Sequence, residues 1–599
     1  MSTQSEHNTP MTRRVALKEL VPASSEESEI QCSVSSDTPT EISIPENQEQ
    51  CEETYTPESS ENSEHFKPEY ANNGTFYHRG TNAFSQSQIS ESEVVGQTIR
   101  YSGEDYLLGI PTRDDLVGEN DGEGLTAIFE DRLSKQQGIP FMAIDNEGST
   151  EKINGNYSYV LRLYGSLING QKAVVILMGI RVFFDILVPD SDFPDECESK
   201  IRDIISGSVK SFRIDHIKAF PFRGYNTEKK PYIRIYTNGI GARRKAIKVV
   251  QDNNFETASD DIYSFYRKVT RENGIQLSGW SMLSKYIYKK GTDPLCPHIF
   301  HISKKEFHPV KKFTTITDHF PLSALTRDRT LVLTWDIETH ASQGADEFAE
   351  VFDKRNNVFM ICMTLHWKDD PKPLKQICLV DLETAPDPRW ITIICENQTN
   401  LLKAFALCWQ AFTPDIQLGF NDSDYDWRFV IERAYHLNVL EWMWKQMTGN
   451  FKPKEEILKW NYCGKIGAKS ENNFQKKGEE EDAIDTEEED EKEYMGGPIK
   501  VKLTAGDYFT STVLKLPGCI PIDVRVCFKK LYPRSEKSSL KFFLEESGLD
   551  SKADMPHENM WRIYSDAKEH SFVSTAKNMY KVANYYVIDA LRCQELMHQ

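Results

Sequence analysis

The sequence predicts an α/β layered domain in the C-terminal half, preceded by a mixed α+β domain and, ahead of that, a disordered acidic tail. Three observations lead there. From Thr330 onward apolar strand-like runs alternate with helix-length stretches, the pattern of a sheet layered with helices. From about Phe76 to Leu325 strand-like runs dominate and helical stretches only interrupt them. Residues 1–72 are rich in Ser, Thr, Glu and Pro and poor in large apolar side chains, so they bury too little surface to offset the entropy of ordering.

The tail also accounts for the charge. The formal net charge of -20 runs against a nucleic-acid partner, because phosphate binding relies on Lys and Arg. Met1 to Tyr70 hold 15 acidic and 4 basic residues, and Glu479 to Glu493 hold 11 acidic and 1 basic. Without these two segments the remainder sits near neutrality, which leaves room for a basic channel. Within the tail, Arg13 to Val21 has apolar residues at near-helical spacing, read either as a short docking peptide or as residual patterning. The twelve cysteines are scattered without a CxxC pair, as reduced intracellular thiols are. No secretory leader is evident and the longest apolar run, Ala173 to Ile180, is too short to span a bilayer. A soluble intracellular protein without a membrane partner is expected, nuclear in a eukaryote and cytoplasmic if viral.

In the mixed domain, expected over 73–328, strands are predicted at Tyr157 to Leu163, Ala173 to Leu187 and Tyr232 to Tyr236, and helices at Ala242 to Gln251 and Asp260 to Glu272. Arg243, Arg244, Lys245 and Lys248 on the first of these helices either grip DNA phosphates or form a solvated face. The layered domain, expected over 329–599, opens with a strand at Thr330 to Ile337 and continues with strands at Val358 to His366 and Gln376 to Val380. A helix at Thr399 to Ala411, a strand at Asp415 to Phe420 and a helix at Tyr425 to Leu437 follow. Asn450 to Gly497 breaks the pattern, and about 465–497 is expected to be a flexible acidic insertion. Order is expected to resume at Ile499 to Thr504 and Ile522 to Phe528, with helices at Ser539 to Ser547 and Ser574 to Met597.

Three acidic elements carry chemistry. Asp336 and Glu338 end an apolar strand two residues apart, so both carboxylates face one side; a solvated strand edge would give the same pair. Gly419 to Asp426 forms a strand-to-helix turn, in which Asp422 and Asp424 suit helix capping and Asp426 can aim across the sheet end towards Asp336. Tyr585 and Asp589 lie four apart on a helix and share a face, in a site or in solvent. Converging carboxylates are what hard divalent cations need for phosphodiester cleavage.

Together these elements resemble the three exonuclease motifs of family B DNA polymerases, D-x-E, G-[FY]-N-x3-[FY]-D and Y-x3-D, in the same order. The resemblance runs from about Leu331 to the C-terminus. In the N-terminal domain, Tyr159 to Pro189 and Pro231 to Val250 resemble the family less sharply, with a flavour of the polymerases of large DNA viruses of the pox and asfar type. The resemblance implies a ribonuclease H-like fold in which Asp336, Glu338, Asp426 and Asp589 hold two Mg²⁺ or Mn²⁺ ions roughly 3.5–4 Å apart. It implies that Glu338 and Tyr585 orient an attacking water, and that Asn421 and Tyr425 position a frayed single-stranded 3′ end. The implied activity is 3′-to-5′ proofreading on primer-template DNA during replication.

The family also needs a palm domain, of which no motif is found. Leu531-Tyr532-Pro533 is similar to part of one, but lacks the preceding Asp and lies before the third exonuclease motif. The chain is therefore expected to act as a nuclease without polymerising, partnered by a separately encoded palm domain or other replication factors. The alternative is a catalytically silent fragment that only binds nucleic acid or replication proteins.

Overall fold

The computed structural model describes residues 96–598 apart from residues 154, 190–192, 292–294, 342–348, 371, 468–498, 505–506 and 550–554. The expected tail and its candidate docking peptide lie outside the described residues, as does almost all of the expected acidic insertion.

Among the described residues, two seven-stranded sheets, a three-stranded one and the two-stranded pair Ile499–Thr504 and Asp507–Ser511 organise the chain. The first seven-stranded sheet runs in the order Phe307–Pro309, Gly279–Leu283, Ile139–Ile153, Asn156–Leu167, Lys172–Met178, His298–Ser303 and Ile287–Lys290. Its centre is the long hairpin of Ile139–Ile153 and Asn156–Leu167, whose register shifts between Ala143 and Asp145. The single apolar run expected at Ala173 to Leu187 is in fact two strands in different sheets. Gly179, at φ +77°, turns the chain, and Val182–Leu187 pairs instead with Lys230–Thr237 in the three-stranded sheet. Both halves are buried, so hydrophobicity alone does not reveal the turn between them. Helices Pro194–Ser206 and Ile240–Asp252 cover that small sheet, placing Ile201, Ile205, Ala246 and Val250 against Phe184, Ile186, Ile233 and Ile235.

The second seven-stranded sheet has the order Thr98–Arg100, Ile391–Ile394, Lys375–Val380, Asn357–Trp367, Leu331–His340, Ile416–Gly419 and Ile520–Asp523. Leu331–His340 is antiparallel to Asn357–Trp367 and parallel to Ile416–Gly419. Asn357–Trp367 is buried along nearly its whole length and reads as a continuous apolar run for that reason. Helix Gln398–Phe412 packs on the face that carries Trp335, and the 26-residue helix Val573–His598 packs across the sheet from the other side.

The two large units interlock. Thr98–Arg100 precedes the first sheet in sequence but joins the edge of the second, so the division expected at residue 328 is crossed. At the seam, the buried Asp415 carboxylate accepts hydrogen bonds from Arg113 Nη2 at 2.6 Å, Ser166 Oγ at 2.9 Å and the Leu331 amide at 2.9 Å, with Lys172 Nζ 3.5 Å away. Arg113 and Lys172 hold this carboxyl below the ordinary range despite its burial.

Helices Leu440–Thr448, Lys454–Trp460 and His557–Glu569 were not expected from the sequence. The break in pattern assigned to Asn450 therefore begins later, since Lys454–Trp460 is helical and Tyr462 bridges to Leu514. The apolar run at Ile522 to Phe528 likewise divides into strand Ile520–Asp523 and helix Val524–Leu531, with Asp523 as the cap.

Candidate active site at the end of the second sheet

The site begins with two tryptophans. Trp335 and Trp427 are fully buried and meet edge to face, ring centroids 4.9 Å apart, inside a cluster with Phe405 and Trp409. Such a pair contributes about 0.5–1.5 kcal/mol beyond area burial. Its larger effect is positional. Side chains alternate along a strand, so anchoring Trp335 in that cluster turns Asp336 and Glu338 to the opposite face, and both are half-buried there. Anchoring Trp427 fixes the first turn of helix Asp426–His436 and with it the buried Asp426.

The turn between strand Ile416–Gly419 and that helix is unusually tight. A Cβ on Gly419 would lie 2.3 Å from the Asp422 Cβ, so only glycine fits. Asn421 adopts φ +71°. Asp523, ending the neighbouring strand, holds the turn: its carboxylate accepts from the Ser423 hydroxyl at 2.6 Å and the Asn421 amide at 3.1 Å. Arg525 Nη1 donates to Asn421 Oδ1 at 2.6 Å. Asp422 and Asp424 do not cap the helix as expected. The N-cap is Tyr425, without a side-chain bond, and the Trp427 amide bonds the Asp422 backbone carbonyl at 2.9 Å. Asp422 is instead buried among the acids of the site, and Asp424 stands 3.8 Å from Arg428.

The electrostatics bring the elements together. Burial, then the charge of Asp336, then those of Asp422 and Asp523, push the Asp426 carboxyl well above the usual range. Burial and the charges of Asp523 and Asp336 do the same to Asp422, and burial raises Asp523. From the helix Val573–His598, the Tyr586 hydroxyl is pushed up by burial and then by Glu338, Tyr585, Asp589 and Asp336. The Cys593 thiol is raised by burial and by Asp336, Asp422, Asp523 and Asp426. Tyr586 thus lies within electrostatic reach of Glu338, Tyr585, Asp589 and Asp336, and Cys593 within reach of Asp336, Asp422, Asp523 and Asp426. Among the described residues, no three His, Cys, Asp or Glu side chains stand as a ready-made cation cage.

Tyr425 is also here, with its hydroxyl 2.8 Å from Thr339 Oγ1 and 3.3 Å from the Ala349 carbonyl. That bond ties the helix start to the residue after Glu338. Of the four cations expected on helix Ile240–Asp252, Arg244, Lys245 and Lys248 are exposed, but Arg243 is not available to phosphates. It is buried, donating to Asp261 Oδ1 at 2.7 Å and to the Phe183 carbonyl at 3.0 Å. The amphipathic pattern puts Arg243 on the apolar face with Ala246 and Val250, which the basic run in the sequence masked.

Sequence reasoning missed Asp523, Asp422 as a site acid, and Tyr586. Asp523 carried the signal that singled out Asp336, an acid ending an apolar strand. Asp422 and Tyr586 carried none, because only the turn and the helix packing turn them inward.

Residues 259–486 match the family profile described as DNA polymerase family B, exonuclease domain. The chain is 33% identical over 445 residues to "DNA polymerase beta" of African swine fever virus isolate Pig/Kenya/KEN-50/1950, covering 74% of this chain and 32% of the relative. The protein of the same name from isolate Pig/Portugal/Lis 60/1960 is also 33% identical, over 74% of this chain and 31% of its own length. The chain spans about a third of the length of these relatives. Among solved structures, a family B DNA polymerase from the hyperthermophilic archaeon Pyrobaculum calidifontis aligns with TM-score 0.45 and 14% identity, over 76% of this chain and 45% of that one.

Proposed function

We propose, on the premise that this chain carries the exonuclease domain of a family B DNA polymerase, that it removes nucleotides one at a time from DNA 3′ ends by two-cation hydrolysis. The observation that carries the reading is the mutual electrostatic influence of Asp336, Asp426 and their neighbours across three separate elements. An acid cluster that raises its own proton affinity is costly to bury, and functional sites are where such cost is tolerated.

The donor set fits divalent cations. Asp336, Glu338, Asp426 and Asp589 offer oxygen only, as Mg²⁺ and Mn²⁺ prefer, and the buried negative charge calls for a cation to offset it. When bound, such ions supply charge stabilisation at the attacking and leaving oxygens. Glu338 and Tyr585 would orient the water. Asn421, fixed by Arg525 and Asp523, and Tyr425, tied to Thr339, would position the strand end. A mismatched terminus frays more readily into such a single-strand site, which makes the reaction proofreading.

The test is degradation of a 3′-labelled single-stranded oligonucleotide with Mg²⁺. Wild type should shorten it from the 3′ end, and Asp336→Ala should slow this by about 10²- to 10³-fold. Equal rates for the two proteins would reject the assignment, and no degradation by either would favour a silent nucleic-acid-binding module.

A further inference from the structure

The connection between strands Phe212–Ala219 and Lys230–Thr237 has the sequence Phe220-Pro221-Phe222-Arg223-Gly224-Tyr225-Asn226-Thr227-Glu228-Lys229. Its three aromatics are all outside the core: Phe220 is 54% exposed, Phe222 52% and Tyr225 95%. Aromatic side chains clustered on one turn and left in water are unfavourable unless something covers them. The turn is built rather than loose. The Asn226 side-chain amide donates to the Arg223 carbonyl at 2.8 Å and the Pro221 carbonyl at 3.2 Å. Phe222 is held edge-on to Tyr263, centroids 6.2 Å apart, with the Arg271 guanidinium 4.9 Å from its ring centre. Arg271 is in turn paired with Asp260.

Cations accompany the rings. Lys229 Nζ lies 5.7 Å from the Phe220 ring centre, Arg223 is exposed at the tip, and Arg267, Lys268 and Arg271 line, with the single acid Asp260, a cavity of about 250 Å³ beside Phe222 and Tyr263. Glu228 is the only acid in residues 218–230, against Lys218, Arg223, Lys229 and Lys230. Flat apolar faces interleaved with positive charge suit one occupant, a polyanion that also presents unpaired aromatic rings. We infer that this turn and the start of helix Phe265–Asn273 form a binding surface for single-stranded nucleic acid, in which bases stack on Phe220, Phe222 and Tyr225 while Arg223 and Lys229 face phosphates. The surface is separate from the acidic region and involves no hydrolysis, so it stands whether or not the exonuclease reading holds.

The experiment is fluorescence anisotropy of the whole chain with a labelled oligothymidylate in EDTA, where cation-dependent cleavage is suppressed. Phe220→Ala/Phe222→Ala/Tyr225→Ala should weaken binding by about 10-fold or more. Arg223→Ala/Lys229→Ala should make the slope of log affinity against log salt shallower by about 1 to 1.5. A blunt duplex, whose bases are already stacked, should be insensitive to the aromatic changes. Tyr225→Ala guards against misfolding, since a side chain so exposed supports no packing, and Tyr225→Trp should retain binding that Tyr225→Ala weakens. Single-strand affinity within twofold of wild type for the triple variant, or for Tyr225→Ala where the triple variant melts early, would overturn the inference.

Discussion

Arg113 and Asp415 meet at 2.6 Å with both side chains almost wholly buried, and they join the first sheet's unit to the strand that leads into the acidic turn. Removing one partner of such a pair leaves an uncompensated buried charge, at about 3–5 kcal/mol. Arg113→Met should therefore lower the denaturant midpoint sharply. The double variant Arg113→Met/Asp415→Leu should lose less than the sum of the two single variants, as chemical denaturation would show. Additive losses would mean that Lys172 and Ser166, not Arg113, satisfy Asp415.

Asp426→Asn tests the acidic region without reference to catalysis. Because the folded Asp426 carboxyl is held above its ordinary range, its contribution to stability is present at low pH and is lost as pH rises. At pH 8 in EDTA the amide should consequently raise the melting temperature. Mg²⁺ should raise that of wild type by binding the folded state, and raise the variant's far less. An identical cation response in both proteins would count against Asp426 as a ligand.

Gly419→Ala asks whether the turn positions Asp426. With its new Cβ 2.3 Å from that of Asp422, the backbone has to shift. Exonuclease activity should fall by at least about 10-fold, since small misplacement of reacting groups is costly. Single-strand binding in EDTA should persist. Unchanged activity would show that the turn tolerates displacement.

Asp381 supplies a pH dependence away from the site. Burial pushes its carboxyl up to about 7, while the Tyr564 hydroxyl donates to it at 2.8 Å. A folded value above the unfolded one means that stability is greatest below the unfolded value and declines as pH rises towards 7, by up to about 1.4 kcal/mol per pH unit. Asp381→Asn should flatten the urea-denaturation stability profile between pH 5 and 7.5. A profile as steep as that of wild type would assign the dependence to other groups.

Much of the second sheet was legible because its elements bury continuous or periodic apolar stretches. Leu331–His340, Asn357–Trp367, Gln398–Phe412 and Asp426–His436 fall within a few residues of their expected bounds. Helix Lys454–Trp460 buries only Ile457 and so leaves little pattern to read, whereas His557–Glu569 buries Met560, Trp561, Ile563, Tyr564 and Ala567 at helical spacing, a signal that the sequence did carry. Arg243 was misjudged because four basic residues within six positions of one helix read as one surface, and only partners distant in sequence, Asp261 and the Phe183 carbonyl, compensate the burial of one of them.

By itself the sequence determined the alternation along Leu331–His340, which commits Asp336 and Glu338 to one face, and the glycine that lets the acidic turn close, because these are local consequences of backbone geometry. Tertiary structure alone decided that Trp335 and Trp427 would meet, that Asp422 and Asp523 would turn inward, and that Tyr586 would sit among the acids. Each of these depends on contacts between segments far apart in the chain, and a buried charge acquires its proton affinity only from neighbours that folding brings to it.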